Sequence, residues 1–96
     1  MRLSPQERAA IKKIIEGKDL KAEIYLYGSR ADDSLSGGDI DILVISETLT
    51  FPDKLDLLSE IKTALGDQKI DMSIKTPAQS RSDVFAREIL KSALRI

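Results

Sequence analysis

The chain has 96 residues, 15 basic and 16 acidic side chains, a net charge of −1, and is 42% hydrophobic and 32% charged. That describes one domain with a single modest core. It offers no basic field for nucleic acid and no polybasic run for a membrane surface. Cysteine and histidine are both absent, which excludes disulfides, thiolate metal sites, Ser-His-Asp triads and most zinc chemistry. Carboxylates, Arg and Lys, hydroxyls and backbone amides remain, and oxygen ligands of that kind suit Mg²⁺ or Mn²⁺. No signal peptide opens the chain and no apolar run approaches membrane-spanning length, so a cytoplasmic location is expected.

Ser4-Pro5-Gln6-Glu7 reads as a helix start, with Ser4 as cap, Pro5 in the first turn and Glu7 completing a capping box. Ala10, Ile11, Ile14 and Ile15 form its apolar stripe and Gly17 its stop, giving helix 1 over about residues 5–16. Glu23 to Tyr27, rich in β-formers, is strand 1. Gly28 to Ala31 is a turn that can open a short helical turn, and residues 32–38 are loop. Gly37-Gly38 permits the turn before strand 2. Strand 2 is Asp39 to Ile45, with Ile40, Ile42 and Val44 on one side and Asp39, Asp41, Leu43 and Ile45 on the other. Helix 2 runs from Pro52 or Asp53 to Leu65, on the stripe Leu55, Leu58, Ile61 and Leu65. Strand 3 is Lys69 to Lys75, broken by Thr76-Pro77. Residues 76–82 read as a polar loop, and helix 3 as Asp83 to Leu94 with Phe85, Ile89, Leu90 and Leu94 buried.

The order α-β-β-α-β-α predicts a mixed α/β (α+β) domain: a three-stranded mixed sheet with helices packed on one face. Strands 1 and 2 pair antiparallel, and strands 2 and 3 form a parallel β-α-β unit. Parallel neighbours start at the same edge, so Asp39, Asp41 and Asp71 meet there, beside the Gly28-Ser29 turn that ends strand 1. Three carboxylates so close repel one another unless a cation neutralises them. Two divalent ions at such a site activate an attacking oxygen and hold a phosphoryl group in line. Either Tyr25 or Tyr27 borders this site. Leu43 and Ile45 share its face with no helix left over to cover them, which predicts a partner or self-association surface.

Gly28-Ser29, a loop of about ten residues, Asp39-Ile40-Asp41, and Asp71 on a later strand together resemble the nucleotidyltransferase superfold shared with the β-type DNA polymerases. Within it the chain looks most like the minimal nucleotidyltransferases, and Gly-Ser-Arg-Ala at 28–31 adds to the match. The resemblance implies the nucleotidyltransferase fold, two Mg²⁺ ions on Asp39 and Asp41, and Asp71 as third ligand and helper in deprotonating an acceptor hydroxyl. It implies that Gly28, Ser29 and Arg30 bind the phosphates of a nucleoside triphosphate, ATP, and that AMP is transferred with release of pyrophosphate. Members of this family are often paired with a HEPN-domain ribonuclease toxin, for which they act as antitoxin by adenylylating it.

The family loop commonly continues Arg-Ala-Arg-Gly where this chain reads Arg30-Ala31-Asp32-Asp33, two negative charges in place of a positive one. That departure keeps open a non-catalytic antitoxin that neutralises its toxin by contact. A third reading is the nucleotide-transfer subunit of an assembly acting on a small molecule. The oligomeric state is open, a homo-oligomer included.

Overall fold

The structure, a computed structural model, describes residues 1–34 and 38–96. Gly37 lies outside the described residues, so only Gly38 of that glycine pair is described.

Helix α1 spans Pro5–Glu16, and its capping box is formed. The Ser4 hydroxyl accepts from the Glu7 amide at 3.1 Å, and the Glu7 carboxylate accepts from the Ser4 amide at 3.0 Å. Strand β1 is Glu23–Tyr27, followed by a single 3₁₀ turn at Gly28–Ala31. Strand β2 is Ile40–Ile45, so Asp39 lies one residue before it. Helix α2 spans Phe51–Leu65. It starts slightly earlier than the stripe suggests because Thr50 caps it, in a second capping box with Asp53. Gly66 closes it at φ +84°, a conformation open to glycine. Strand β3 is Ile70–Lys75.

The C-terminal quarter departs from the expectation. Residues 77–82 are not a loop but helix α3, Pro77–Ser82, with Thr76 and Gln79 forming a third capping box. Helix α4 is only Val84–Leu90, capped by the Asp83 carboxylate on the Ala86 amide at 2.9 Å. The chain then leaves the helix, and Leu94–Arg95 form a fourth strand, β4, antiparallel to β1. The Ile96 amide donates to the Ile24 carbonyl at 2.8 Å, and the Ile96 side chain is buried in the core. Long-range pairing to β1 plus burial of Ile96 outweighs local helix propensity over the last three residues.

Among the described residues the sheet therefore has four strands rather than three, in the order β3-β2-β1-β4. β1 pairs β2 antiparallel and β2 pairs β3 in parallel. On one face Ile24, Leu26, Ile40, Ile42, Val44, Ile70 and Met72 pack against Ile11 and Ile15 of α1 and Leu57 and Ile61 of α2. All of these side chains belong to β-strands or helices, brought together by simple period-2 and period-3.6 patterning.

The second face is not bare. Phe85 of α4 meets the Tyr27 ring edge-on, with centroids 6.1 Å apart. Leu43 is fully buried, Ile45 nearly so, and Ala86 of α4 and Ser80 of α3 are buried as well. The expected exposed surface at Leu43 and Ile45 is thus absent. The helix that was to bury Phe85 and Leu94 instead turns Ala86 inward and leaves both partly exposed. The mixed α/β architecture expected from the sequence is present, with β4 in addition to the expected elements and the two short helices on the second face.

Candidate active site

Tyr27, Asp41 and Asp71 lie in one row across three strands, Tyr27 opposite Asp41 and Asp41 beside Asp71. Strands in a sheet are about 4.8 Å apart, and residues in register share a face, so the two carboxylates leave the sheet side by side. The row sits where β1 ends and where β2 and β3 begin. This is the edge the alternation in the sequence predicts, and the register brings Asp41 and Asp71 together there.

Gly28 follows directly on β1 at φ +75°. A Cβ built on it would overlap the Asp41 carboxylate. Glycine is therefore required twice over, for the backbone conformation and for the close approach of the turn to Asp41. Ser29 is the second residue of the 3₁₀ turn and is partly buried. Its carbonyl accepts from the Arg2 guanidinium at 3.0 Å. A cavity of about 530 Å³ opens beside the turn, lined by Gly28, Ser29, Ala31, Asp32, Asp33 and Ser92.

Asp41 is partly buried and its carboxyl is raised above the ordinary range. Burial is the largest cause, then the Asp71 charge, then that of Asp39, with Lys69 opposing them. Asp39 is half-exposed, and its carboxylate lies 3.6 Å from the Lys69 ammonium. The Ile40 amide donates to the Lys69 carbonyl at 2.9 Å, which fixes the start of β2 against the start of β3 and sets these two side chains next to each other. The Tyr27 hydroxyl is pushed up, first by burial and then by Asp41, with Ser73 opposing and Asp71 adding a smaller push.

Arg30 points elsewhere. Its guanidinium donates to the Arg2 carbonyl at 2.8 Å, the Gly38 carbonyl at 3.0 Å and the Gln68 side-chain oxygen at 3.2 Å. Its Nε is buried with no hydrogen-bond partner among the described residues. The side chain is engaged by protein acceptors rather than extended over the cavity.

Of the two tyrosines expected to border the site it is Tyr27 that does so, while Lys69 and Ser92 are site residues that the motif pattern alone does not single out. Lys69 looked like an ordinary strand start. Ser92 fell inside a segment read as helix, and only the break after Leu90 turns it toward the Gly28-Ser29 turn.

Among the described residues no group of three or more acidic side chains is drawn together as a metal cage, and Asp39 is turned to Lys69. The donor set still fits a hard divalent cation. The groups are all carboxylate oxygens, as Mg²⁺ and Mn²⁺ prefer. Asp41 and Asp71 face each other with a repulsion that raises the Asp41 carboxyl, and a cation would relieve it. No helix among the described residues is long and apolar enough to cross a membrane.

Residues 9–96 match the family model described as Polymerase beta, Nucleotidyltransferase. A search of the curated proteins finds no significant match.

Proposed function

The chain belongs to the polymerase beta nucleotidyltransferase family, and from that premise we propose that it transfers AMP from ATP to a hydroxyl of a partner protein, as the antitoxin of a HEPN-domain toxin. Nucleotidyl transfer is the chemistry of the family; the donor, the acceptor and the metal are our reading. The observation that carries it is the row Tyr27–Asp41–Asp71 ending at a turn whose missing Cβ admits the Asp41 carboxylate.

In this reading Asp39 and Asp41, with Asp71 beside them, hold Mg²⁺, or Mn²⁺ in its place. The metal, when bound, supplies the positive charge that the donor phosphates and the facing carboxylates require. The Gly28-Ser29 turn presents backbone amides and a hydroxyl to the phosphates. Asp71, exposed at the start of β3, takes the proton of the acceptor hydroxyl as its oxygen attacks the α-phosphorus. The bond between the α-phosphorus and the bridging oxygen breaks, and pyrophosphate leaves.

The test is transfer of label from α-labelled ATP with Mg²⁺ to the product of the neighbouring gene. We expect a labelled partner band with the wild type and none with Asp39→Asn plus Asp41→Asn. A stable complex without label would refute the transfer.

A second reading has its own observation. Asp32 and Asp33 line the cavity beside the Gly28-Ser29 turn, and the Arg30 guanidinium is held by protein acceptors. Acidic walls next to a phosphate site disfavour an anionic donor, which favours an antitoxin that neutralises by contact. Neutralisation that survives Asp39→Asn plus Asp41→Asn would select it over the enzyme.

A further inference from the structure

We infer that Arg30 is a positioning residue, whose guanidinium holds the Gly38 carbonyl and so fixes where Asp39 enters the acidic row. The inference rests on the reading of Asp39 as a metal ligand, and it assigns Arg30 a role other than phosphate binding.

The geometry is a clasp built from distant parts of the chain. One terminal nitrogen of Arg30 donates to the Arg2 carbonyl at 2.8 Å. The other donates both to the Gly38 carbonyl at 3.0 Å and to the Gln68 side-chain oxygen at 3.2 Å. The backbone closes the ring, with the Arg2 amide donating to the Arg30 carbonyl at 2.7 Å. Gln68 is itself held, because its amide nitrogen donates to the Glu7 carboxylate at 2.7 Å and to the Leu65 carbonyl at 3.3 Å. Glu7 is anchored in turn by the Ser4 amide at the start of α1. Its carboxyl is held below the ordinary range, first by Gln68 and then by the Ser4 amide. Charge-assisted bonds of this kind are the strong ones, and a planar guanidinium serving several acceptors is rigid in a way an ammonium is not.

Gly38 is the residue before Asp39. From the other side, the Ile40 amide is tied to the Lys69 carbonyl. Asp39 thus sits between two fixed peptide groups, one held by Arg30 and one by β3. Releasing the first frees the backbone rotation that aims the Asp39 carboxylate. Gln68 precedes Lys69 directly, so the same guanidinium also braces the strand start that carries the cation facing Asp39. Groups that orient a metal ligand without touching the metal typically change its affinity by about 10–100-fold when removed.

The experiment titrates Mn²⁺ alone into the full chain, reading free Mn²⁺ by electron paramagnetic resonance. It compares wild type, Arg30→Met, Asp39→Asn and the double variant. We expect Arg30→Met to weaken Mn²⁺ binding about tenfold and to add nothing in the Asp39→Asn background. Equal weakening in both backgrounds, or none in either, overturns the inference. Arg30→Lys keeps a cation but one fewer planar set of donors, and is expected to fall between; it also serves if Arg30→Met does not fold. Backbone hydrogen exchange of the metal-free protein supplies a second readout. Arg30→Met should exchange faster over residues 38–40 with α2 unchanged, and unchanged exchange at 38–40 overturns the inference. If Asp39→Asn leaves Mn²⁺ affinity untouched, the metal reading of Asp39 fails, and the exchange result alone then decides for or against the clasp.

Discussion

Replacing Asp71 by Asn should stabilise the metal-free protein at neutral pH. Asp71 and Asp41 stand beside each other in the parallel pair β2–β3, which places their charges about 5 Å apart. Two like charges at that distance repel by about 0.8 kcal/mol in bulk water and about 3 kcal/mol at the effective dielectric near a protein surface. Asp71 is exposed, so the value belongs near the lower end, about 1 kcal/mol. In a domain of this size that is a rise of roughly 4–8 °C in Tm. The pH dependence has a definite sign. The Asp41 carboxyl is raised above its ordinary 3.8, so the folded state holds that proton more tightly than the unfolded one. Wild-type stability at this pair is therefore fullest in acid and falls as pH rises through the Asp41 titration. The advantage of Asp71→Asn should be complete at pH 7 and vanish below about pH 4. The assay is thermal unfolding in a chelating buffer at both pH values, repeated with millimolar Mg²⁺, where the wild type should regain the difference. A Tm that is unchanged or lower at pH 7, or an offset that is the same at both pH values, would refute the reasoning.

Gly28→Ala should cost at least about 1–2 kcal/mol from the left-handed backbone alone, and more from overlap with the Asp41 carboxylate. Urea unfolding measures it, and adding Asp41→Ala should return the steric part while leaving the backbone part. Thr76→Ala removes the cap of α3 and should cost about 1 kcal/mol, read by the same titration; no change would mean that α3 is held by packing alone. Ile96→Ala removes a buried side chain and should cost roughly 2–5 kcal/mol, a surface-sized loss being the contrary result.

The central half of the chain was legible because it obeys local rules. Alternation in Ile40–Ile45 and Ile70–Lys75 assigns faces without knowledge of the fold, and a β-α-β unit aligns its strand starts. Asp41 and Asp71 follow from those two statements. The signal for α3 was also present, since Thr76-Pro77-Ala78-Gln79 has the same form as Ser4-Pro5-Gln6-Glu7. It was hidden by the lack of any apolar stripe after it. β4 could not be read locally, because Leu94–Arg95 become a strand only through β1, some seventy residues earlier in the chain. The role of Arg30 is illegible for the same reason. Its acceptors at Arg2, Gly38 and Gln68 are far apart in sequence, and a Gly-Ser turn makes any following arginine look like a phosphate ligand.

The short strand β4 also guards against a hazard. The strand that delivers the Gly28-Ser29 turn has β2 on one side, and on the other the Tyr25–Arg95 and Leu26–Leu94 pairs and the Ile96 amide on the Ile24 carbonyl. Both β4 residues are exposed, and so short a ladder opens at little cost. Once open, the outer rim of β1 would present unpaired amides and carbonyls flanked by aromatic side chains, a template for strand addition by another chain. Ile96, seated in the core just past β4, is the peg that keeps this rim closed. Loss of that peg would show as self-association before it showed as loss of the acidic row, whose three strands do not include β4.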